Sequence, residues 1–406
     1  MKNSTKIIVC ILCVMLLFSA CTSADSQEEK TKDTAAEAVA NENQSNLDVI
    51  QPTAYGNVDD LDLEPGSYIS VIGRSGSGEF WKVIESGAQQ AINDINEHLG
   101  YTGEDKVKLA YSGPSTKDSV DEQVNILDEE LALYPAAVAI AIVDSTACGV
   151  QFDLAAENDI PIIAFESGSD YENIQSMIST NNIESAHTAT AKLCDAIEGN
   201  GKILLFAHDS YSTSAIERVQ GVTQRIENEQ PDVTIDGIYY LDQLDEIRQQ
   251  ITDERNAEDE TAAAEGDGET IPVPVPTPAP EPDEVATADI TDEEVFAYIL
   301  EQHPDAKGSI TTDADTTQTV LTAVKAAKLS SFKMVGFEGG TKQLAALGSG
   351  ELSGLIVQNP YGMGYASVVA AARSALGLGN EAVVDCGYIW VDKDNVDTDA
   401  IQKQLY

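Results

Sequence analysis

Tyr68-Ile69-Ser70-Val71-Ile72-Gly73-Arg74-Ser75-Gly76-Ser77-Gly78-Glu79-Phe80-Trp81 decides the fold. Its first five residues are an apolar run of strand type and its middle is rich in glycine. Its end opens a stretch in which Ile84, Ala88, Ala91, Ile92, Ile95 and Leu99 share one helical face. A strand that turns over glycines into a helix is the repeating unit of a parallel α/β sheet. The alternation continues along the chain. Strand-type runs recur at 107–111, 137–142 and 160–165, then at 202–206, 233–239, 308–310 and 333–337, with helical spacing at 215–227, 294–302 and 317–328. Near-continuous apolar strands predict sheets covered on both faces. More than 300 residues of this pattern exceed what one core usually holds, so two doubly wound, parallel-sheet α/β lobes are expected.

Outward from that pattern, the first residues set the compartment. Lys2 and Lys6 precede an apolar run from Ile7 to Phe18, which ends at Ser19, Ala20 and Cys21. The run is too short for a permanent span and has the form of a signal-peptide core. Leu17-Phe18-Ser19-Ala20-Cys21 resembles a bacterial lipobox, with Phe18 where leucine is commoner. The expectation is a signal peptide over 1–20 and lipid on Cys21. The chain would then be held on the extracellular face of the cell membrane by its lipid anchor. Only Cys148, Cys194 and Cys386 then remain in the folded part, too far apart for a disulfide framework or metal-site spacing.

The net charge of −46 becomes −48 once two lysines leave with residues 1–20, which excludes nucleic acid as a partner. Residues 21–65 hold eleven acids against two lysines and predict a disordered acidic tether. Residues 253–289 hold twelve acids, Arg255 alone among bases and six alternating prolines from Pro272 to Pro282. That composition predicts a disordered, extended insert.

In open parallel sheets, ligands sit beyond the carboxyl ends of the strands. The loop from Gly73 to Gly78 fits neither the dinucleotide spacing nor the P-loop, since no glycine lies three after Gly78 and no Lys-Ser/Thr follows. The adjacent Phe80 and Trp81 are placed either to stack on a ligand or to enter the core. Further strand ends carry acids: Glu166, then Asp313 with Asp315, then Glu338. Carboxylates suit adjacent hydroxyls or an amine, paired carboxylates could serve a glycosidase, and acids also abound on so acidic a surface. His98, His187, His208 and His303 lack metal spacing, and no G-x-S-x-G is present. The run from Asp392 to Asp397 lacks the glycine and closing glutamate of a calcium loop and reads as a solvated terminus. Neither a catalytic constellation, a metal site nor a cofactor site is expected.

These loops, in order and spacing, resemble the type 1 periplasmic sugar-binding proteins, of which the ribose- and galactose-binding proteins are members. The matching stretches include Glu79-Phe80-Trp81, Ile142-Val143-Asp144-Ser145, Asn158-Asp159-Ile160-Pro161, Ile178-Ser179-Thr180-Asn181-Asn182 and Ser212-Thr213-Ser214-Ala215-Ile216-Glu217-Arg218. Val335-Gly336-Phe337-Glu338-Gly339 and Val357-Gln358-Asn359-Pro360-Tyr361 complete them. The resemblance covers about Tyr68 to Val396 apart from the insert. It implies an N-terminal lobe of 66–180 plus 359–385 and a C-terminal lobe of 181–358 plus 386–396. Three crossings near Asn181, Gln358 and Asp385 would form the hinge, and a monomer is the family default. By position, Phe80 and Trp81 match the family's stacking pair, and Glu166, Asp313, Glu338 and Gln358 match polar contacts to the ligand. Gly78 and Glu79 stand where the ribose type has asparagine and proline, and Ser167 and Ile216 where it has arginines. The cleft should therefore be crowded with acids and have only Arg74 to neutralise them, which favours an amine-bearing sugar, an aminosugar or an unusual polyol. The function implied is ligand capture for the permease of an ABC importer. A receptor reporting to a histidine kinase or chemoreceptor is the alternative, and a glycosidase a third reading.

Overall fold

From helix α1 (residues 43–48) the chain runs through β1 (Tyr68–Ile72), α2 (Glu79–Leu99), β2 (Lys108–Ser112), α3 (Val120–Leu131), β3 (Ala137–Ile140), α4 (Gly149–Glu157), β4 (Ile162–Phe165) and β5 (Ile174–Ser179) in the computed structural model. It continues through α5 (Asn182–Ala196), β6 (Gly201–Ala207), α6 (Thr213–Glu229), β7 (Val233–Tyr240), α7 (Asp245–Glu265), α8 (Asp292–Gln302), β8 (Ala306–Thr311), α9 (Ala314–Ala326), β9 (Lys333–Phe337) and α10 (Thr341–Gly348). The last elements are β10 (Gly354–Gln358), α11 (Pro360–Ala375), β11 (Val383–Asp385), β12 (Tyr388–Val391) and α12 (Asp399–Gln402). The structure describes residues 43–265 and 286–406. Residues 1–20, Cys21 and the first half of the expected tether lie outside them, as does 266–285 of the expected insert.

Two six-stranded sheets result, one per lobe, in the orders β2-β1-β3-β4-β5-β11 and β7-β6-β8-β9-β10-β12. Every pair is parallel except β10 with β12. β3 and β4 are buried along their whole length, as strands covered on both faces must be. Burying those runs is the main stabilising term, at roughly 25 cal/mol per Å² of apolar surface. In both sheets the strand order reverses beside the first strand, between β1 and β3 and between β6 and β8. The crevices at these switch points face one another at the carboxyl ends of the strands.

Three chain crossings join the lobes: Thr180–Asn181 between β5 and α5, Asn359 between β10 and α11, and Cys386–Gly387 between β11 and β12. Of the expected hinge residues, Asn181 caps α5, Gln358 ends β10 and Asp385 ends β11. The crossings are bonded to one another, because the Asp385 carboxylate accepts from the N–H of Gly387 (2.8 Å) and of Asn181 (3.3 Å). The Asn359 amide donates to the Cys386 carbonyl at 2.9 Å. Helix α11, buried from Pro360 to Ala372, lies close against α2. A Cβ on Gly87 or Gly364 would stand 2.0 Å from the Tyr361 or Ile84 carbonyl oxygen, so only glycine permits that approach.

Three expectations from composition are corrected. Residues 43–64 are not a solvated tether: Leu47, Ile50, Tyr55, Val58, Leu61 and Leu63 are buried in the first-lobe core, and Gln51 pairs with Asp385 at the hinge. Their spacing lacks a single period because a largely irregular strap, helical only at 43–48 and in a short turn at Thr53–Gly56, delivers them. Residues 253–265 are not disordered but complete α7, which Leu244 and Ile251 anchor in the second-lobe core. Arg255 pairs with Glu294 at 2.9 Å and Arg248 with Asp292, tying α7 to α8 despite its acids. Finally, the run from Asp392 to Asp397 is solvated at Lys393, Asp394 and Asp397 but is not a free terminus, since Val396 packs on the second-lobe core. Asp392 accepts from Trp390 Nε1 at 2.7 Å, and Ile401, Leu405 and Tyr406 pack on the second-lobe core, which extends that lobe beyond Val396.

Candidate ligand-binding site

A cavity of about 110 Å³ lies between the lobes, lined by Arg74, Phe80, Trp81, Lys117, Asp118 and Glu166 from the first and His208, Arg218, Asp313, Ala314 and Glu338 from the second. The residues arrive on loops at the carboxyl ends of β1, β2, β4, β6, β8 and β9, at the starts of α2 and α9, and on α6. Asp118 (φ 60°), Glu166 (φ 60°) and Glu338 (φ 78°) all adopt left-handed backbone conformations that L-residues disfavour. Such strain gathers where a fold aims particular side chains.

The glycine-rich loop makes room for the aromatic pair. A Cβ on Gly73 would meet the Trp81 indole at 2.9 Å, and Gly78 (φ 110°) opens α2. Phe80 and Trp81 lie edge to face, with ring centroids 5.3 Å apart, and Trp81 meets Phe165 at 6.5 Å.

Arg74 is 4% exposed and is gripped by carboxylates from both lobes. Its Nε donates to Asp118 at 2.7 Å and its Nη2 to Asp209 at 3.2 Å, and Nη1 stands 3.8 Å from Glu166. Burial alone would pull its pKa down, but Glu166, Asp118 and Asp209 outweigh burial and raise it, so the charge is permanent. Lys117 follows the same logic. Burial opposes its charge, while Asp313 (3.4 Å) and Asp315 hold it and raise its pKa.

On the second lobe, Asp313 caps α9 through Thr316 N–H at 2.8 Å. Burial pushes its carboxyl up, yet His208, Lys117 and the Thr316 bonds prevail and hold it well below the usual range. His208 is bonded through Nδ1 to Thr312 Oγ1 (2.7 Å) and through Nε2 to Ser212 Oγ (3.2 Å). Burial lowers its pKa, with Asp313 and Asp209 opposing. Arg218 donates to Asn182 Oδ1 (3.0 Å) and the Thr312 carbonyl (2.6 Å), with its guanidinium 4.5 Å from the Phe337 ring centroid. Glu338 accepts from Gln358 at 2.5 Å, and burial raises its pKa. Two buried atoms in this wall, Glu166 Oε2 and Arg218 Nη2, lack a hydrogen-bond partner among the described residues. One is an acceptor and the other a donor, and leaving both so costs free energy that a hydroxyl-bearing ligand would recover.

The structure brings together Arg74, Phe80, Trp81, Glu166, Asp313 and Glu338 of the residues singled out in the sequence. Glu79 does not line the cavity but accepts from Thr341 N (3.0 Å) and Oγ1 (2.6 Å) across the cleft mouth, while Gln358 stands behind Glu338. The expectation that Arg74 alone would neutralise the cleft acids is overturned: Lys117 and Arg218 join it in facing Asp118, Glu166, Asp313 and Glu338. Lys117 and Asp118 come from the loop after β2, a strand marked by the run at 107–111, but they lie five and six residues beyond Ser112, past the strand end at which ligand-facing residues are expected. Arg218 sits two residues beyond Ile216, in a helix. Its signal was present, because it shares one face of α6 with Ala215, Val222 and Ile226, and an arginine in an apolar stripe needs buried partners.

The family model described as the periplasmic binding protein domain matches residues 69–273 and 279–379. Among solved structures, a carbohydrate transporter solute-binding protein from Agrobacterium radiobacter, in complex with D-arabinose, is 24% identical. The match covers 84% of this chain and 99% of that one, with a TM-score of 0.65. An ABC transporter solute-binding protein from Agrobacterium vitis with bound D-fucose is 21% identical over 84% of this chain and 100% of its own, with a TM-score of 0.64. An arabinose-binding protein from Geobacillus stearothermophilus is 21% identical over 82% and 99%, with a TM-score of 0.61. At such identities the likeness is one of fold. A comparison with curated proteins finds no match.

Proposed function

The chain belongs to the periplasmic binding protein family, and from that premise we propose that it captures a monosaccharide-sized, hydroxyl-rich ligand between its lobes and presents it to an ABC permease. The observation that carries this reading is the pairing, in one small interlobe cavity, of the Phe80–Trp81 edge with Glu166 Oε2 and Arg218 Nη2, neither of which has a hydrogen-bond partner among the described residues. Apolar ring faces suit the C–H faces of a sugar, and a buried acceptor opposite a buried donor suits its hydroxyls. Three cations set among four acids leave no large uncompensated charge for the ligand to neutralise, which suits a neutral, hydroxyl-rich molecule. No step of chemistry is assigned to these groups, and the protein is read as a binder.

In this reading the first lobe is 43–180 with 359–385 and the second 181–358 with 386–406, joined at Asn181, Gln358 and Asp385, and closure about that hinge encloses the ligand. A monomer held by lipid on Cys21 at the outer membrane face would keep the captured ligand beside the permease. Calorimetric titration of the full chain with D-arabinose, D-fucose and D-galactose tests capture. Saturable binding to one of them, abolished in Trp81→Ala, is expected. Silence toward all three in a folded sample would remove the sugar reading.

A further inference from the structure

Beyond α12 the chain brings Tyr406 to the cleft from the second lobe, where neither the strand pattern nor the strand-end loops would place a residue. Its ring lies 5.9 Å from that of Phe80 at 66°, and Phe80 belongs to the first lobe. Its hydroxyl accepts from Gly339 N–H at 3.2 Å and donates to Glu338 Oε2. The backbone donor leaves the hydroxyl proton only the carboxylate to serve, so its direction is fixed. Glu338 Oε1 is taken by Gln358, so both oxygens of this strained, cavity-lining glutamate are held by the chain's own donors.

We propose that Tyr406 is a positioning residue that couples the cavity wall to lobe closure: its hydroxyl fixes Glu338, and its ring meets Phe80 only when the two lobes come together. Phe80 is one flank of the stacking edge and Glu338 one wall of the cavity. A single side chain therefore touches the ligand-facing elements of both lobes without lining the cavity itself. The ring contact favours the closed form, and the hydroxyl keeps the carboxylate from swinging into the space the ligand occupies. The inference rests on the capture reading only for its affinity readout.

Two variants of the full chain separate the two functions of the side chain. Tyr406→Phe keeps the ring and removes the donor, whereas Tyr406→Ala removes both. Closure is read without ligand. Trp81 is one of only two tryptophans and is buried in the cleft, so acrylamide quenching of its fluorescence reports opening. Quenching should rise in Tyr406→Ala and stay near the parent value in Tyr406→Phe. With D-arabinose as probe, Tyr406→Phe should bind about tenfold more weakly near neutral pH, the scale of one hydrogen bond to a charged group. The deficit should shrink as the pH is lowered through the burial-raised pKa of Glu338, because only the ionised carboxylate depends on the donor. Arg218 and Asp313 also face Glu338 from its own lobe, with His208 behind them and Arg74, Lys117, Asp118 and Glu166 across the cleft. Since all of these are common to both proteins, their titration cancels in the ratio. Unchanged quenching in Tyr406→Ala, with equal affinity of parent and Tyr406→Phe at neutral and lowered pH, overturns the proposal. If the parent binds no D-arabinose, capture of that sugar fails while quenching alone still decides the role of Tyr406.

Discussion

Arg74 shows how a single residue can organise a site without being free to bind. Its guanidinium meets Asp118, Glu166 and Asp209, so its removal strands three carboxylates in a space where the side chains of Glu166 and Asp209 are 10% and 6% exposed. Breaking a buried pair by deleting one partner costs about 3–5 kcal/mol. Arg74→Ala should lose stability on that scale in denaturant titrations at neutral pH. Asp209 adds a sign to the prediction. Burial pushes its pKa up, but His208, Ser212 and Arg74 prevail and depress it, so its stabilisation is present above the unfolded pKa and disappears as pH falls through the folded one. The Arg74→Ala deficit should therefore narrow in acid. His208 behaves oppositely in origin. Burial depresses its pKa, the unfolded chain takes up the proton first, and stability is lost as pH drops below about 6.5. In His208→Gln that acid-linked loss should be reduced between about pH 7.5 and pH 5.5, and an unchanged slope would refute the assignment. The site acids at strand ends were legible because the rule of ligand-bearing strand ends is topological. Lys117 and Tyr406 were not, because nothing local distinguishes a loop lysine or a tyrosine beyond the last helix from its solvated equivalents.

Among elements, the sharpest divide between sequence and structure is the strap of residues 43–64. The strands were legible since a parallel sheet covered on both faces needs unbroken apolar runs, and β1, β3, β4 and β9 supply them. The strap was hidden because its six buried apolar residues are diluted among acids and obey no period. Helix α7 was hidden for the same reason, since only its first two turns carry an apolar face while Arg248 and Arg255 compensate its acids through α8. Ile50 is fully buried in the strap. Ile50→Ala should destabilise the chain by about 2–5 kcal/mol, and deletion of 43–64 should do considerably more, as it also removes the Gln51–Asp385 pairing at the hinge. Chemical denaturation of both variants against the parent checks this. A chain begun at Pro65 that proved as stable as the parent would show that the strap merely rests on the first lobe.

At the scale of the molecule, closure is held by few direct contacts, and they differ in kind. Arg74–Asp209 and Thr213–Gly168 are buried or half-buried, whereas Lys117–Asp315 and Glu79–Thr341 lie at the mouth. Ligand and hinge must then supply most of the bias toward the closed form, since exposed ion pairs contribute only about 0–1 kcal/mol. Salt separates the two kinds of contact, because screening at high ionic strength weakens a mouth pair while leaving a buried one almost intact. Asp315 has a 71% exposed side chain, does not line the cavity and touches the first lobe through Lys117. Asp315→Asn should therefore open the cleft slightly at low salt, seen as a modest rise in Trp81 quenching and at most about a fivefold loss of affinity for a bound monosaccharide. Both effects should fade in about 0.5 M salt, where parent and variant would be equally screened. An effect that persists at high salt would mean that Asp315 acts through Asp313 and the cavity wall, placing the latch inside the site instead of at its rim.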